Sequence, residues 1–215
     1  MAQRHPAIER LLEEHPNLNG IGESLQQALQ MLTESFQSGG KLLLCGNGGS
    51  ACDCEHIAGE LMKGFLLPRP LNAGERAALA EAGDDGDLAT HLQRALPVLV
   101  LQGLSGMSSA FLNDVRGDLT YAQQAFAYAR PGDVLLGIST SGNAANVCAA
   151  AIAARARGAG VIGLTGAAGG RLASYCDICL QAPERETYRV QELHLPIYHA
   201  LCIAAEALLF GGAQA

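Results

Sequence analysis

Tryptophan is absent from this chain of 215 residues, and only 5% of its residues are aromatic. Glycine numbers 26, so closely packed backbone and glycine-rich loops have to replace large aromatic core side chains. This composition favours an α/β or an α-helical protein over a β-sandwich. The hydrophobic content of 49% is enough for a continuous core, which excludes disorder as the main state.

An excess of positive charge is also absent. Lys and Arg number 14 against 21 Asp and Glu, a formal net charge of −7, so we expect neither nucleic acid nor an anionic membrane as a partner. No apolar run approaches the roughly 20 residues of a membrane span. Seven cysteines, an odd number, and the lack of a secretory leader predict a reduced, cytoplasmic protein.

Five short apolar segments alternate with helical patterns along the chain. Segments of this kind are typical of strands buried on both faces of a parallel sheet, so the pattern predicts a three-layer, doubly wound α/β domain. The predicted strands are 41–45, 97–102, 134–139, 160–165 and 176–181. Two helices are predicted within 6–38, and others at 50–64, 105–128, 142–157, 170–175 and 189–210, the last kinked or irregular at Pro196. Residues 69–96 form an excursion with a helix near 74–82 and an acidic turn.

Two Gly- and Ser-rich loops, at 46–50 and 139–143, follow the first and third strands. Such loops meet at the carboxyl edge of a parallel sheet, where strand order reverses. Helix-start N–H groups and the hydroxyls of Ser139, Thr140 and Ser141 would form a socket for a phosphate monoester. Neither loop is a Walker loop, and Cys52 stands where a dinucleotide fingerprint needs its third glycine. Turn formation and helix capping are the alternative explanation, which two such loops in one sheet make the weaker.

Several His, Glu and Cys residues have spacings that point to chemistry. His56 and Glu60 are four residues apart and share a helix face, where they could hold a metal, divide acid–base work or simply make a solvated contact. Gln191 and His199 share a face of the closing helix. His194 points elsewhere, so we expect it to be a satisfied buried or interface residue. The pair at 176 and 179 has Cys-x-x-Cys spacing, but a strand there would turn the two thiols to opposite faces, which favours a structural role.

Three motifs, in order, closely resemble the SIS-domain phosphoheptose isomerases: residues 45–60, 132–143 and 189–194. The resemblance implies one SIS domain over 1–215 with a five-stranded flavodoxin-like fold, and a cytoplasmic homotetramer with sites between subunits. It implies conversion of sedoheptulose 7-phosphate to D-glycero-D-manno-heptose 7-phosphate, a step of lipopolysaccharide heptose biosynthesis. It also implies one zinc per subunit on His56, Glu60, Gln191 and His199. The implied substrate contacts are Asn47, Gly48, Gly49, Ser50, Asn113, Asp114, Ser139, Thr140, Ser141 and Gln191.

The expected reaction is aldose–ketose isomerisation through a cis-enediol, with Glu60 moving the proton between C1 and C2 and His199 serving the oxygens. The chain departs from the family at Ala144, Gly59 and Tyr188, and its 69–96 excursion is longer. Alternatives are a sugar-phosphate sensor and a protein-binding regulator of the replication-initiator-binding type. Because such regulators lack the catalytic Glu and His, the presence of both residues here favours an enzyme.

The apolar stripes of the helix from Ile21 to Phe36 and of the closing helix are more than one sheet face can cover. We therefore expect the N-terminal helices within 1–40 to pack between subunits, and a D2 tetramer to be the assembly.

Overall fold

Five parallel strands form the centre of the computed structural model, which describes residues 4–212. Their order in the sheet is β2-β1-β3-β4-β5, and every neighbouring pair is parallel. This order confirms the predicted doubly wound, flavodoxin-like sheet. The strands are β1 Leu42–Cys45, β2 Val98–Val100, β3 Val134–Ser139, β4 Gly160–Gly166 and β5 Ile178–Ala182.

Helices cover both faces of the sheet. They are α1 Pro6–Glu14, α2 Gly22–Gln37, α3 Gly49–Met62, α4 Ala73–Glu81, α5 Asp87–His91, α6 Ser105–Phe111, α7 Thr120–Tyr128, α8 Ala145–Ala156 and α9 Thr187–Phe210. Side chains alternate along a strand, so Leu42 and Leu44 join a core with α1, α2, α3 and α9. Leu43 and Cys45 face the opposite core, which α7 and α8 complete.

The apolar stripe of α2 is buried inside the subunit, from Ile21 through Leu25 to Leu32. Both α1 and α2 pack against α9 of the same chain. The prediction that this stripe stays uncovered by its own subunit is therefore wrong, because α9 lies over the helical layer and covers it.

Helix α9 begins two residues before the predicted helix 189–210, and it is more apolar than the expectation of no membrane-length apolar run allowed. By length and composition it could cross a membrane, with a mean hydropathy of 1.5 over 18 residues. However, 56% of that window is buried in the structure, which is typical of the core helix of a soluble protein. Pro196 lies inside the helix, which continues from Thr187 to Phe210 without interruption, so the predicted irregular first part does not occur.

Residues 105–128 do not form the single helix that was predicted. After α6 the chain makes a π-helical turn, Leu112–Arg116, and a 3-10 turn, Gly117–Leu119, before α7 begins. Arg116 has extended backbone angles, φ −157° and ψ 120°, which end the helical hydrogen bonding. Gly117 follows directly, and its missing side chain leaves room for Leu112 to pack against its backbone.

The excursion contains the predicted helix, α4, which an Asn72–Glu75 capping box starts. It also contains α5, which was expected to be part of an acidic turn; Asp84 accepts hydrogen bonds from the N–H groups of Leu88 and Ala89 there. A buried ion pair anchors the segment before it, because Arg69 contacts Glu206 of α9 at 2.8 Å.

Candidate active site

The two predicted loops lie side by side at the point where strand order reverses. Strands β1 and β3 are neighbours, and the chain moves from β1 to one edge of the sheet and from β3 to the other. The amide of Asn47 donates to Asn146 Oδ1 at 2.9 Å, and Asn146 returns a hydrogen bond to Asn47 Oδ1 at 2.8 Å. This reciprocal pair joins the first loop to the first turn of α8. Sequence reasoning missed Asn146, although an amide so soon after the second loop was a usable signal.

The second loop folds tightly and leaves a helix end open. The N–H of Asn143 donates to Ser141 Oγ at 3.1 Å, and that of Gly142 donates to Ser139 O at 2.9 Å. Ala144 is the N-cap of α8 and makes no side-chain capping bond. A serine at this position would supply such an acceptor, so the family departure leaves N–H groups of the α8 N-terminus available to an anion.

Three side chains predicted from two distant segments meet between α3 and α9. His56 Nε2 lies 3.3 Å from Glu60 Oε1 and 3.3 Å from His199 Nε2. Lys63 Nζ lies 3.1 Å from the other oxygen of Glu60, a partner that the sequence analysis did not identify. The predicted shared face of His56 and Glu60 is confirmed by this contact.

Gln191 lies on the same side of α9 as His199, but it packs against the first loop. Its Nε2 atom is 2.5 Å from the point that a Cβ at Gly49 would occupy. The glycine leaves room for this close approach, so the Gln191 amide packs on the loop at 46–50 from the helix that carries His199. The structure places Gln191 beside the loop, and within residues 4–212 it makes no hydrogen bond to His56 or Glu60.

Behind His56, Tyr198 and Asp53 form a hydrogen-bonded relay that orients its ring. Tyr198 Oη donates to Asp53 Oδ1 at 3.3 Å and lies 3.0 Å from His56 Nδ1. Because the single phenol hydrogen is directed to Asp53, we assign the imidazole hydrogen to Nδ1, which donates to Tyr198. The lone pair of His56 Nε2 then points toward Glu60 and His199. Sequence reasoning missed both Asp53 and Tyr198, because their roles depend on contacts between α3 and α9.

The electrostatics of the cluster follow from its burial. Burial and the neighbouring Asp53 raise the pKa of Tyr198, which keeps the phenol neutral. Burial also raises the pKa of Asp53, while the hydrogen bond from Tyr198 opposes that shift. Burial lowers the pKa of His199, against the opposing effect of the Glu60 carboxylate. A lowered pKa keeps the His199 imidazole neutral and able to accept a proton near pH 7.

The donor set of this cluster has the chemistry of a zinc site. The unprotonated His56 Nε2 faces the Glu60 carboxylate, an arrangement that a proton or a cation between the two atoms would stabilise. Their separation of 3.3 Å also matches the edge of a tetrahedron with metal–ligand bonds of about 2.0–2.1 Å. Yet no three His, Cys, Asp or Glu side chains of residues 4–212 form a closed metal-binding group, and Glu60 is turned partly to Lys63.

Asn113 and Asp114 lie apart from this cluster. Both are exposed on the turn Leu112–Arg116, where Asn113 donates to Asp114 Oδ1 at 2.8 Å. In the described part of the chain, neither makes a hydrogen bond to the loops or to His56. The side chains beside them, Leu112 and Val115, are 65% and 60% exposed.

His194 is fully buried, as predicted, but only half satisfied. Its Nε2 donates to Thr165 O at 3.2 Å, whereas its buried Nδ1 has no partner in the structure. Burial lowers the pKa of His194 to about 4, so the ring is neutral. It is not part of the cluster around His56.

Comparison with known proteins identifies the class of this fold and site. Two family models, both of the SIS domain, match residues 8–93 and 107–208. The chain is an SIS-domain protein. It is 38% identical over 192 residues to the phosphoheptose isomerase of Rhodospirillum rubrum, covering 89% of each chain. It is 40% identical over 196 residues to that of Thiobacillus denitrificans, covering 90% of this chain and 87% of the relative. The chain belongs to the phosphoheptose isomerase family, and the resemblance drawn from its motifs is confirmed.

Solved structures agree with this assignment. A phosphoheptose isomerase from Neisseria gonorrhoeae superimposes with a TM-score of 0.72 at 32% identity, over 93% of both chains. One from Francisella tularensis gives a TM-score of 0.74 at 27% identity, over 92% of this chain and 93% of that one.

Proposed function

We propose that this chain is an aldose–ketose isomerase that interconverts sedoheptulose 7-phosphate and D-glycero-D-manno-heptose 7-phosphate. One observation carries the proposal: Glu60, His56 and His199 meet within 3.3 Å contacts between α3 and α9. Helix α3 begins directly after the first loop, so this cluster and the open end of α8 belong to the same edge of the sheet. An acid–base cluster beside an anion socket is what a phosphosugar isomerase requires.

The phosphate group binds at the loop 139–143 and at the N-terminus of α8, where N–H groups and the Ser141 hydroxyl are available. This contact holds the sugar while its other end reacts. The Glu60 carboxylate removes a proton from C1 of the ketose and returns it to C2. His199, neutral near pH 7, exchanges protons with the oxygens at C1 and C2. A well-placed base supplies about 10²- to 10⁴-fold of the acceleration.

Zinc is proposed as a cofactor held by His56, Glu60 and His199, with Gln191 as the fourth ligand that the resemblance implies. Support comes from the donor types and from the two separations of 3.3 Å. When bound, the metal supplies Lewis-acid stabilisation of the enediolate. The relay from Asp53 through Tyr198 presents the His56 lone pair that such a ligand needs.

The test follows turnover of sedoheptulose 7-phosphate before and after treatment with a chelator. Glu60→Gln should abolish turnover and solvent exchange of the C1 hydrogen, because it removes the base but keeps the shape. Glu55→Gln is the matched control, because Glu55 is an exposed residue of the same helix. Parental exchange rates in Glu60→Gln would refute the role of this carboxylate. Activity that survives complete zinc removal, shown by elemental analysis, would refute the zinc requirement but not the isomerase.

A cytoplasmic homotetramer with shared sites is the assembly that we propose. All seven cysteines are free, which supports a reducing compartment. The exposed Leu112 and Val115 flank Asn113 and Asp114, so an apolar contact there would bring these polar side chains to a neighbouring subunit. The pathway role, lipopolysaccharide heptose biosynthesis, follows from the resemblance alone.

Subunit exchange tests whether a site is shared between chains. Mixtures of inactive Glu60→Gln and His199→Ala proteins regain activity only if the two residues act across an interface. Because the structure joins both residues to His56 within one chain, we expect no recovery in this pair. Glu60→Gln mixed with Asp114→Ala should recover, provided that the Asp114→Ala protein is itself inactive. A failure of that second mixture despite exchange seen by mass would contradict sharing through Asp114.

A further inference from the structure

Cys176 and Cys179 do not face opposite sides of the sheet, contrary to the sequence-based expectation. Cys176 precedes β5 and follows the 3-10 turn Leu172–Tyr175, so strand alternation does not govern its direction. Both thiols point at Gly163 of β4. The position of a Cβ at Gly163 would lie 2.7 Å from Cys176 Sγ and 3.4 Å from Cys179 Sγ. The glycine leaves a space that two neighbouring sulfur atoms share.

The two thiols differ in their surroundings. Cys176 donates to the carbonyl of Leu172 at 3.1 Å, while Cys179 Sγ lies 3.6 Å from Thr165 Oγ1. The neighbouring Cys176 lowers the pKa of Cys179, whereas burial raises it. The effect of Cys176 is the larger, so the pKa of Cys179 is lowered. The same contact raises the pKa of Cys176. A thiol that ionises readily beside a protonated partner is typical of an attacking and a resolving cysteine.

Access distinguishes this pair from the other cysteines. Cys176 and Cys179 are both partly exposed, whereas four others are buried in the two cores: Cys45, Cys54, Cys148 and Cys202. Cys52 is exposed on α3. Only this adjacent pair and the solitary Cys52 therefore belong to cysteines with solvent-exposed surface.

The pair lies directly behind the loop 139–143. The N–H of Leu172, in the turn that leads to Cys176, donates to Gly142 O at 2.8 Å. Gln181 lies two residues beyond Cys179 on β5, and its amide is against Gly169, which packs on Gly142. Both cysteines are therefore connected to the second loop through short, rigid segments. A change in the position of either sulfur has a direct route to that loop.

We propose that Cys176 and Cys179 form a thiol–disulfide exchange site for small disulfides such as oxidised glutathione, and that its oxidation weakens phosphate binding at the loop 139–143. The second part rests on the proposed phosphate site. Closing the disulfide withdraws the Cys176 S–H from Leu172 O and moves the turn that holds Gly142.

The chemistry balances with the disulfide as oxidant. The Cys179 thiolate attacks one sulfur of oxidised glutathione, which forms a mixed disulfide and releases one glutathione thiolate. Cys176 loses its proton to solvent, attacks the Cys179 sulfur and displaces the second glutathione thiolate. The two protein thiols lose two electrons, and one glutathione disulfide is reduced to two thiols.

The first experiment treats the full chain, in a Cys52→Ser background, with oxidised glutathione and analyses the tryptic peptide 172–185, which carries both thiols. We expect this peptide to lose two hydrogens, with no glutathione retained, and to recover them in dithiothreitol. Cys176→Ser should trap glutathione on Cys179, whereas Cys179→Ser should react slowly. A fully reduced peptide, or glutathione trapped only on Cys176, would overturn the assignment.

The second experiment compares reduced and oxidised protein with sedoheptulose 7-phosphate. We expect the KM to rise about fivefold on oxidation, as for the loss of one hydrogen bond, with kcat nearly unchanged. Cys176→Ser should keep its KM under the same treatment, although it carries glutathione. An unchanged KM in the oxidised parent would refute the coupling to the loop. Inorganic phosphate is the separate probe of the site: if it does not compete with substrate in the reduced protein, the phosphate assignment itself is wrong.

Discussion

Replacing Tyr198 with Phe removes one oxygen from the relay behind His56 and tests the whole arrangement. The ring is 2% exposed, so water cannot replace the lost phenol. Two hydrogen bonds disappear, each worth about 0.5–1.5 kcal/mol, and Asp53 is left without a partner because its other oxygen is already unpaired. We expect a loss of about 3 kcal/mol in the free energy of unfolding, or roughly 6 to 12 °C in Tm.

The loss of stability caused by Tyr198→Phe should depend on pH. The pKa of Asp53 is raised from 3.8 by burial, and the hydrogen bond from Tyr198 opposes that rise. Without Tyr198 the folded-state pKa moves further up. Between 3.8 and that raised pKa, the folded chain retains a proton that the unfolded chain has released, so stability falls as the pH rises through this window. The loss caused by Tyr198→Phe should therefore be larger at pH 7 than near pH 4.

Urea unfolding at the two pH values measures the effect, and the nitrogen chemical shifts of His56 report its tautomer. Tyr128→Phe is the matched control, because this hydroxyl makes no hydrogen bond within residues 4–212 and lies on an exposed residue, so the substitution should change stability little. In an Asp53→Asn background the pH dependence of Tyr198→Phe should vanish. Equal losses at both pH values, or an unchanged His56 tautomer, would refute the relay.

Three further predictions concern the loop at 139–143, the start of α8 and the buried Arg69–Glu206 pair. Ala144→Ser should stabilise the protein by about 1 kcal/mol, since its hydroxyl caps α8; the denaturant midpoint measures this, and an unchanged midpoint would contradict the open N-cap. Ser141→Ala should raise KM more than it lowers kcat, because the phosphate is remote from the reacting carbons; an equal KM would remove this hydroxyl from the socket. Glu206→Gln should cost about 3 kcal/mol in unfolding experiments, because it leaves the buried Arg69 charge unpaired; a loss under 1 kcal/mol would show that the pair is dispensable.

Glu206 also adds a pH dependence that can be separated from that of Asp53. Burial would raise its pKa, but N–H groups of Phe65 and Leu66 and the charge of Arg69 lower it overall. A carboxyl group whose pKa is lower in the folded than in the unfolded chain stabilises the fold at pH values above its unfolded-state pKa. This stabilisation is lost as the pH falls through the folded-state pKa. Acid therefore weakens the Arg69–Glu206 anchor while it relieves the strain of a charged Asp53. Both substitutions, Glu206→Gln and Tyr198→Phe, should consequently cost more stability at pH 7 than near pH 4, and only the pH dependence of Tyr198→Phe should vanish in the Asp53→Asn background.

The sequence by itself determined the features that depend on local periodicity. Five buried strands, the loops at 46–50 and 139–143, and the shared face of His56 and Glu60 follow from residue spacing within one element. The position of the loops at one edge follows as well, because parallel strands place their carboxyl ends together. The order of the three motifs added the family. Without that resemblance, the chemistry of the residues did not decide between an enzyme and a binding protein.

Only the tertiary structure decided which distant side chains meet. The contact between His56 and His199, the Tyr198–Asp53 relay and the Asn47–Asn146 pair each join segments about 100 or more residues apart, and no local pattern specifies such a distance. The direction of the Cys176 side chain depends on where strand β5 begins. The predicted strand began at that residue, but the actual strand begins two residues later, so the alternation that would separate the two thiols does not reach Cys176, and both sulfur atoms lie over Gly163.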